Sequence, residues 1–201
     1  MSAARRLLPV ATGAPPRSSV SRAELNTDLC VLGLWYAQRA EWGIVERALA
    51  RMRDRGVPED VVPSWPPSQV CAAVLQAAMA VGRKRPDPTP ALARADSLVS
   101  LGWFAMAPMN LVLTRLWEAD GDLSRALAAV RRFEYDDPVG AAYLATRLRT
   151  EGRLATLAGD KKGAVRAYTH YLALVSRPEP RVQPLVAQVR EDLGRLVAAE
   201  P

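Results

Sequence analysis

The sequence predicts an all-α protein, and three observations support this prediction. Its 201 residues are 49% hydrophobic and 24% charged, the balance of a globular domain with a sizeable core. The apolar residues are mostly alanine, leucine and valine, and Ile44 is the only isoleucine, which favours helices over strands. Apolar residues recur at helical spacing, and no segment alternates with a sustained period of two. We therefore expect helices and no sheet.

The N-terminal part of the chain is predicted to hold a leader and two helices. Residues 1–27 are rich in proline, glycine and serine and are expected to form a flexible leader. Asp28 can cap a first helix that extends to about Glu41. The second helix is expected from about Ile44 to Arg55, because a glycine and a proline follow it.

Two more helices are predicted in the middle of the chain, after a proline-rich loop. Ser68 can cap a third helix that ends near Gly82. A basic, proline-broken turn follows. Thr89 and Pro90 then have the residue types preferred at the N-cap and the first helical position, and this fourth helix is expected to end near Gly102.

Five further helices are predicted in the C-terminal half. They cover residues 107–120, 122–135, 139–158, 160–175 and 182–198. The last one has a single apolar stripe with charged residues opposite, which is the pattern that a terminal capping helix needs. The stripe consists of Val182, Leu185, Val186, Val189, Leu193, Leu196 and Val197.

An internal repeat links two of these helix pairs. A Gly-Asp dipeptide begins at Gly121 and again at Gly159, and 159 minus 121 gives an offset of 38 residues. Ala126 and Ala164 keep the same offset. Glycine ends one helix, aspartate caps the next, and the small alanine lets the two helices approach closely. The pattern therefore predicts helix–turn–helix units.

This pattern resembles the tetratricopeptide repeat, whose pitch is usually ~34 residues. Gly152 stands at the small position of that family's first helix, and Pro138 stands where the family often closes a repeat with proline. The resemblance is good over residues 107–176 and weaker upstream. It implies a right-handed array of about four helix pairs over residues 28–201, with a C-terminal capping helix.

A narrower resemblance concerns residues 159–180. They look like the C-terminal repeat tail of bacterial serine/threonine-protein kinases and transcriptional regulators. The chain has neither a glycine-rich nucleotide loop nor a His-Arg-Asp catalytic loop. This likeness therefore implies a regulatory tail detached from its catalytic head.

No catalytic constellation is apparent, so we expect no enzyme, cofactor or metal site. His170 is the only histidine and is interpreted as a partly exposed helix residue. Asp136-Asp137 stands directly before Pro138 and is interpreted as a helix terminator and cap rather than as an acid–base pair.

The cysteines and the N-terminus predict a cytoplasmic protein. Cys30 and Cys71 are too few for a disulfide framework and belong to no metal-type pair. They are expected to be small, buried and reduced residues in the cytosol. The segment around Leu7 lacks the apolar core of a secretory signal, and no apolar stretch reaches the ~18 residues of a membrane span.

The candidate partner-binding residues are arginines. The net charge is +6 and the pI is about 9.8, and only three of the 27 basic residues are lysines. The resemblance places Arg115, Arg149 and Arg153 on the groove-facing side of the array, where they would bind a protein or an acidic peptide. Arg149 and Arg153 lie one helical turn apart, and arginine binds carboxylates with two hydrogen bonds.

Three functional hypotheses stay open. The first is a non-catalytic protein–protein interaction scaffold with a basic concave groove. The second is a detached regulatory tail that acts on a bacterial kinase or transcriptional regulator. Non-specific nucleic-acid binding ranks below both, and the arginines can also be ordinary surface residues of an arginine-rich chain.

Overall fold

The structure is a computed structural model that describes residues 22–54, 68–100, 107–132 and 138–198. These residues form nine α-helices and no β-strand, which confirms the all-α prediction. None of these nine helices has both the length and the apolar character that a membrane span requires. The helices are α1 (Arg22–Ala37), α2 (Trp42–Asp54), α3 (Ser68–Gly82), α4 (Thr89–Ser100), α5 (Ala107–Ala119), α6 (Leu123–Arg131), α7 (Pro138–Leu157), α8 (Lys161–Leu174) and α9 (Gln183–Ala198).

Helix α1 begins earlier than the sequence analysis predicted. It starts at Arg22, so residues 22–27 of the predicted leader are helical. The prediction took Asp28 as the cap, but alanine, glutamate and leucine at positions 23–25 are strong helix formers that extend the helix toward the N-terminus. The rest of the predicted leader lies outside the described residues, as do Gly102 and the Asp136-Asp137 pair.

The chain divides into two compact units, residues 1–106 and 107–201. In the first unit α3 packs against α1, α2 and α4 and is buried along most of its length. Gly33 of α1 lies directly on Leu75 of α3, because a Cβ atom at position 33 would be 2.8 Å from Leu75 Cδ1. Helix α3 is therefore the central element of this unit.

A disulfide joins α1 to α3, and the prediction that both cysteines are reduced is wrong. Cys30 and Cys71 are bonded to each other, their Cα atoms are 5.7 Å apart, and neither side chain is exposed. The pairing was missed because it depends on which helices touch, and 41 residues separate the two cysteines. Disulfides persist in oxidising compartments, so the cysteines no longer support a cytoplasmic location.

The second unit is a succession of packed helices. Each helix from α5 to α9 packs against the next one, and α5 also packs against α7. Gly121 and Gly159 have φ angles of 91° and 76°, which other residues rarely adopt, and each ends a helix. Asp122 and Asp160 cap α6 and α8 by accepting the backbone N–H three residues later at 2.9 Å. The predicted Gly-Asp turns are confirmed.

The predicted close approach between α7 and α8 is also confirmed. Gly152 lies against the ring of Tyr168, and a Cβ atom at position 152 would overlap that ring. Ala126 and Ala164, the small residues of the two repeats, are both fully buried. In the preceding repeat, Thr114 stands at the position that corresponds to Gly152. Thr114 is fully buried and donates a hydrogen bond to the Asn110 carbonyl at 2.7 Å.

Helix α9 covers the end of this unit with most of its predicted stripe. Val186 and Val189 are buried against Leu148, Tyr168 and Tyr171. The partly buried members of the stripe, which pack against the same cluster, are Val182, Leu193 and Leu196. The stripe is wider than the contact, because its other two members, Leu185 and Val197, are exposed.

Candidate partner-binding site

The three arginines singled out in the sequence lie on two helices that touch. Arg115 belongs to α5, Arg149 and Arg153 belong to α7, and these helices pack against each other in the second unit. Arg115 and Arg153 are exposed, and Arg149 is half-buried. The structure therefore places all three arginines on two neighbouring helices, but their side chains differ in exposure.

Arg153 is held by a carboxylate of the same chain. Its two terminal nitrogens donate to the two oxygens of Glu118 in α5, at 2.5 and 2.6 Å. This fork is the strongest geometry available to an arginine–carboxylate pair. The hydrogen bond from Arg153 lowers the pKa of Glu118, although partial burial opposes this. Glu118 is therefore ionised near neutral pH and compensates the charge of Arg153.

Sequence analysis missed Glu118 because the pair spans 35 residues and two helices. One signal was available. Glu118 stands three residues after Arg115, so both lie on the same side of a helix. An acidic residue on the predicted groove side of α5 was therefore visible, but its partner on α7 was not.

Arg115 and Arg149 are different from Arg153. Neither has an ion pair or a hydrogen-bonded partner for its side chain within the part of the chain that the structure describes. Arg115 precedes Glu118 by three residues and Arg149 precedes Arg153 by four, so each lies one turn from the fork. This surface, which we call the α5–α7 face, consists of Arg115, Glu118, Arg149 and Arg153. Its three arginines and one glutamate leave an excess of two positive charges.

A buried ion network fixes the orientation of α7. Glu151, only 3% exposed, accepts from Arg131 of α6 at 3.1 Å and from Arg147 at 2.8 Å. Arg131 also binds Asp160 at 2.5 Å. Glu151 stands two residues from both Arg149 and Arg153, which places it on the opposite side of the helix. The network therefore sets the rotation of α7 that turns these two arginines outward.

The charged groups of this network shift one another's pKa values. The hydrogen bond from Arg131, with a further bond from the Gly163 N–H, lowers the pKa of Asp160. Burial lowers the pKa of Arg147, although the charge of Glu151 opposes this. Arginine stays protonated in spite of such a shift.

A cavity continues the same side of α7 toward α9. It has a volume of about 250 Å³ and lies at the turn that follows α7. Its lining residues are Thr156, Gly159, Lys161, Asp192, Arg195 and Leu196. Thr156 follows Arg153 by three residues, so the cavity adjoins the α5–α7 face. Arg195 donates to Asp192 and to Glu191, so its charge is already compensated.

Candidate metal ligands are not clustered in the described ranges. No three His, Cys, Asp or Glu side chains come together there as potential metal ligands. His170 is an exposed residue of α8. No protein-family model, curated protein or solved structure matches the chain.

Proposed function

We propose that this chain is a non-catalytic protein–protein interaction module of the tetratricopeptide type, and that its α5–α7 face binds an acidic segment of a partner protein. The observation that carries the proposal is the pair Arg115 and Arg149. Both are without an ion pair among the described residues, and each lies one helical turn from the Glu118–Arg153 fork on one of two touching helices.

The helix packing supports the repeat part of the proposal. Consecutive helices form the pairs α1–α2, α3–α4, α5–α6 and α7–α8, and α9 packs against α8. The first helices of neighbouring pairs also touch, α1 with α3 and α5 with α7. A repeat array needs such contacts, because each pair buries its apolar side against the next one. Two such helix pairs in each unit, with α9 as the cap of the second unit, are the proposed repeat arrangement.

The electrostatics of the α5–α7 face support the acidic partner. An arginine without a carboxylate can offer all its N–H donors to a ligand carboxylate, often through two bonds at once. Two such arginines on one side of a helix pair favour a ligand with at least two carboxylates. The contact would be screened by salt, because the Debye length is ~8 Å at physiological ionic strength.

Charge reversal at the two unpaired arginines tests this function. The probe is a fluorescein-labelled hexaglutamate peptide, and its binding is followed by fluorescence anisotropy at low salt. We expect Arg115→Glu with Arg149→Glu to abolish binding, because both capture groups become repulsive. The matched control is Arg177→Glu with Arg190→Glu. These two arginines are exposed and, within the described ranges, also make no ion pair.

The control makes the same change in net charge as the test variant and should leave binding almost unchanged. Equal loss in both variants would contradict the proposal, since overall charge would then drive the interaction. A circular dichroism spectrum and a melting curve of each variant show whether the helices persist. If instead a random DNA duplex binds more tightly than the peptide with a steep salt dependence, the nucleic-acid hypothesis replaces this one.

A further inference from the structure

The Glu118–Arg153 fork lies one helical turn from each of the two arginines that the proposed function uses. Glu118 is a carboxylate, the same chemical group that the α5–α7 face is proposed to capture. It engages both terminal nitrogens of Arg153 with two short hydrogen bonds and compensates the charge of that guanidinium. The free protein therefore already contains one bound carboxylate within its own candidate site.

We propose that Glu118 is a specificity-determining residue that acts as an internal competitor of the acidic ligand. This inference rests on the proposed function of the α5–α7 face. Glu118 weakens ligand binding in two ways. It keeps Arg153 engaged, and its negative charge lies one helical turn from Arg115, where it repels an approaching acidic group.

The fork is suited to this role because it is accessible. The side chain of Glu118 is 28% exposed and that of Arg153 is 46% exposed. Ion pairs that remain in contact with solvent contribute little to stability, so the fork can open without disrupting the fold. The Glu151 network differs, because Glu151 is almost fully buried and its loss would remove a buried charge partner of Arg131 and Arg147. Glu118 can therefore release its arginine, whereas Glu151 belongs to the buried network that fixes the orientation of α7.

The competitor also sets which ligands are preferred. With Arg153 engaged, the cations of the α5–α7 face that have no carboxylate among the described residues are Arg115 and Arg149, one on each helix and each one turn from the fork. A compact anion with a single charged group can pair with only one of them. An acidic peptide with several carboxylates can reach both, so the face selects extended acidic chains.

Removing the charge of Glu118 tests the inference. Glu118→Gln keeps the size of the side chain but frees Arg153 and removes the repulsion. With the same labelled hexaglutamate peptide, we expect its affinity to rise on the order of threefold to tenfold, as one additional charged hydrogen-bonded contact predicts. Glu118→Asp keeps the charge and should bind no more tightly than the wild type.

A double-variant cycle separates release of Arg153 from simple loss of a negative charge. Glu118→Gln combined with Arg153→Gln should lose most of the gain, because the released guanidinium is absent. Arg153→Gln alone should bind more weakly than the wild type, since Glu118 is then an unpaired anion at the face. If the combined variant binds as tightly as Glu118→Gln, the competitor role of the fork is overturned.

A second measurement follows Arg153 without a ligand. Modification by phenylglyoxal, read by peptide mass spectrometry, should be slow at Arg153 in the wild type and severalfold faster in Glu118→Gln, with Arg149 as the internal reference. Equal reactivity of Arg153 in both proteins overturns the inference. Binding by the wild type with no gain in Glu118→Gln overturns this inference alone, whereas no peptide binding by either protein overturns the proposed function as well.

Discussion

At the scale of single residues, glycine at position 152 allows the ring of Tyr168 to lie directly on the backbone of α7. Glycine inside a helix costs ~1 kcal/mol relative to alanine, so its presence here needs a compensating contact. That contact is the close packing of α7 on α8. Gly194 of α9 provides a natural comparison, because a Cβ atom at that position would meet nothing within 4 Å.

The two glycines should respond to the same substitution with opposite sign. Gly152→Ala should lower the free energy of unfolding despite its better helix propensity, and Gly152→Leu should lower it by ~1–3 kcal/mol through overpacking. Gly194→Ala should raise it by up to ~1 kcal/mol. Urea denaturation measures all three. An increase in stability for Gly152→Ala would show that Tyr168 does not pack on this position.

At the scale of elements, two long-range links set how the helices are held within each unit. In the second unit the ion network around Glu151 connects α6, α7 and the N-terminus of α8. In the first unit the disulfide between Cys30 and Cys71 connects α1 to α3. A cross-link between residues 41 positions apart restricts the unfolded chain and is expected to stabilise the fold by ~4 kcal/mol on the loop-entropy model.

Reduction should therefore lower the melting temperature of the wild-type protein. The variant Cys30→Ala with Cys71→Ala should melt at a lower temperature than the oxidised wild type and should not respond to reductant. Both are measured by circular dichroism with and without dithiothreitol. A wild-type melting temperature that is unaffected by dithiothreitol would mean that the cross-link contributes nothing to the stability of the first unit.

These elements also show what the sequence could predict. The start of α4 at Thr89 and the turns at Gly121 and Gly159 were predictable, because capping and turn preferences are local. The Cys30–Cys71 pairing and the partnership of Glu118 with Arg153 were not. Each depends on which helices touch, and a single sequence contains no direct record of that.

At the scale of the whole molecule, some arginines are paired with carboxylates of the same chain and others are not. The chain carries a net charge of +6, mostly from arginine. Among the described residues of the second unit, Arg131, Arg147 and Arg153 are bound by carboxylates of the same chain. Arg115 and Arg149 stand beside such a pair without a carboxylate of their own. We therefore expect partner binding to depend on the α5–α7 face rather than on the total charge.

The most direct test of that claim is a titration of ¹⁵N-labelled protein with unlabelled hexaglutamate peptide, followed through the arginine side-chain Nε–H signals in nuclear magnetic resonance spectra. We expect the signals of Arg115 and Arg149 to shift first and to saturate together, while that of Arg190 on α9 stays in place. Small shifts of similar size at arginines throughout the chain, or shifts at Arg190 without shifts at Arg115 and Arg149, would contradict it.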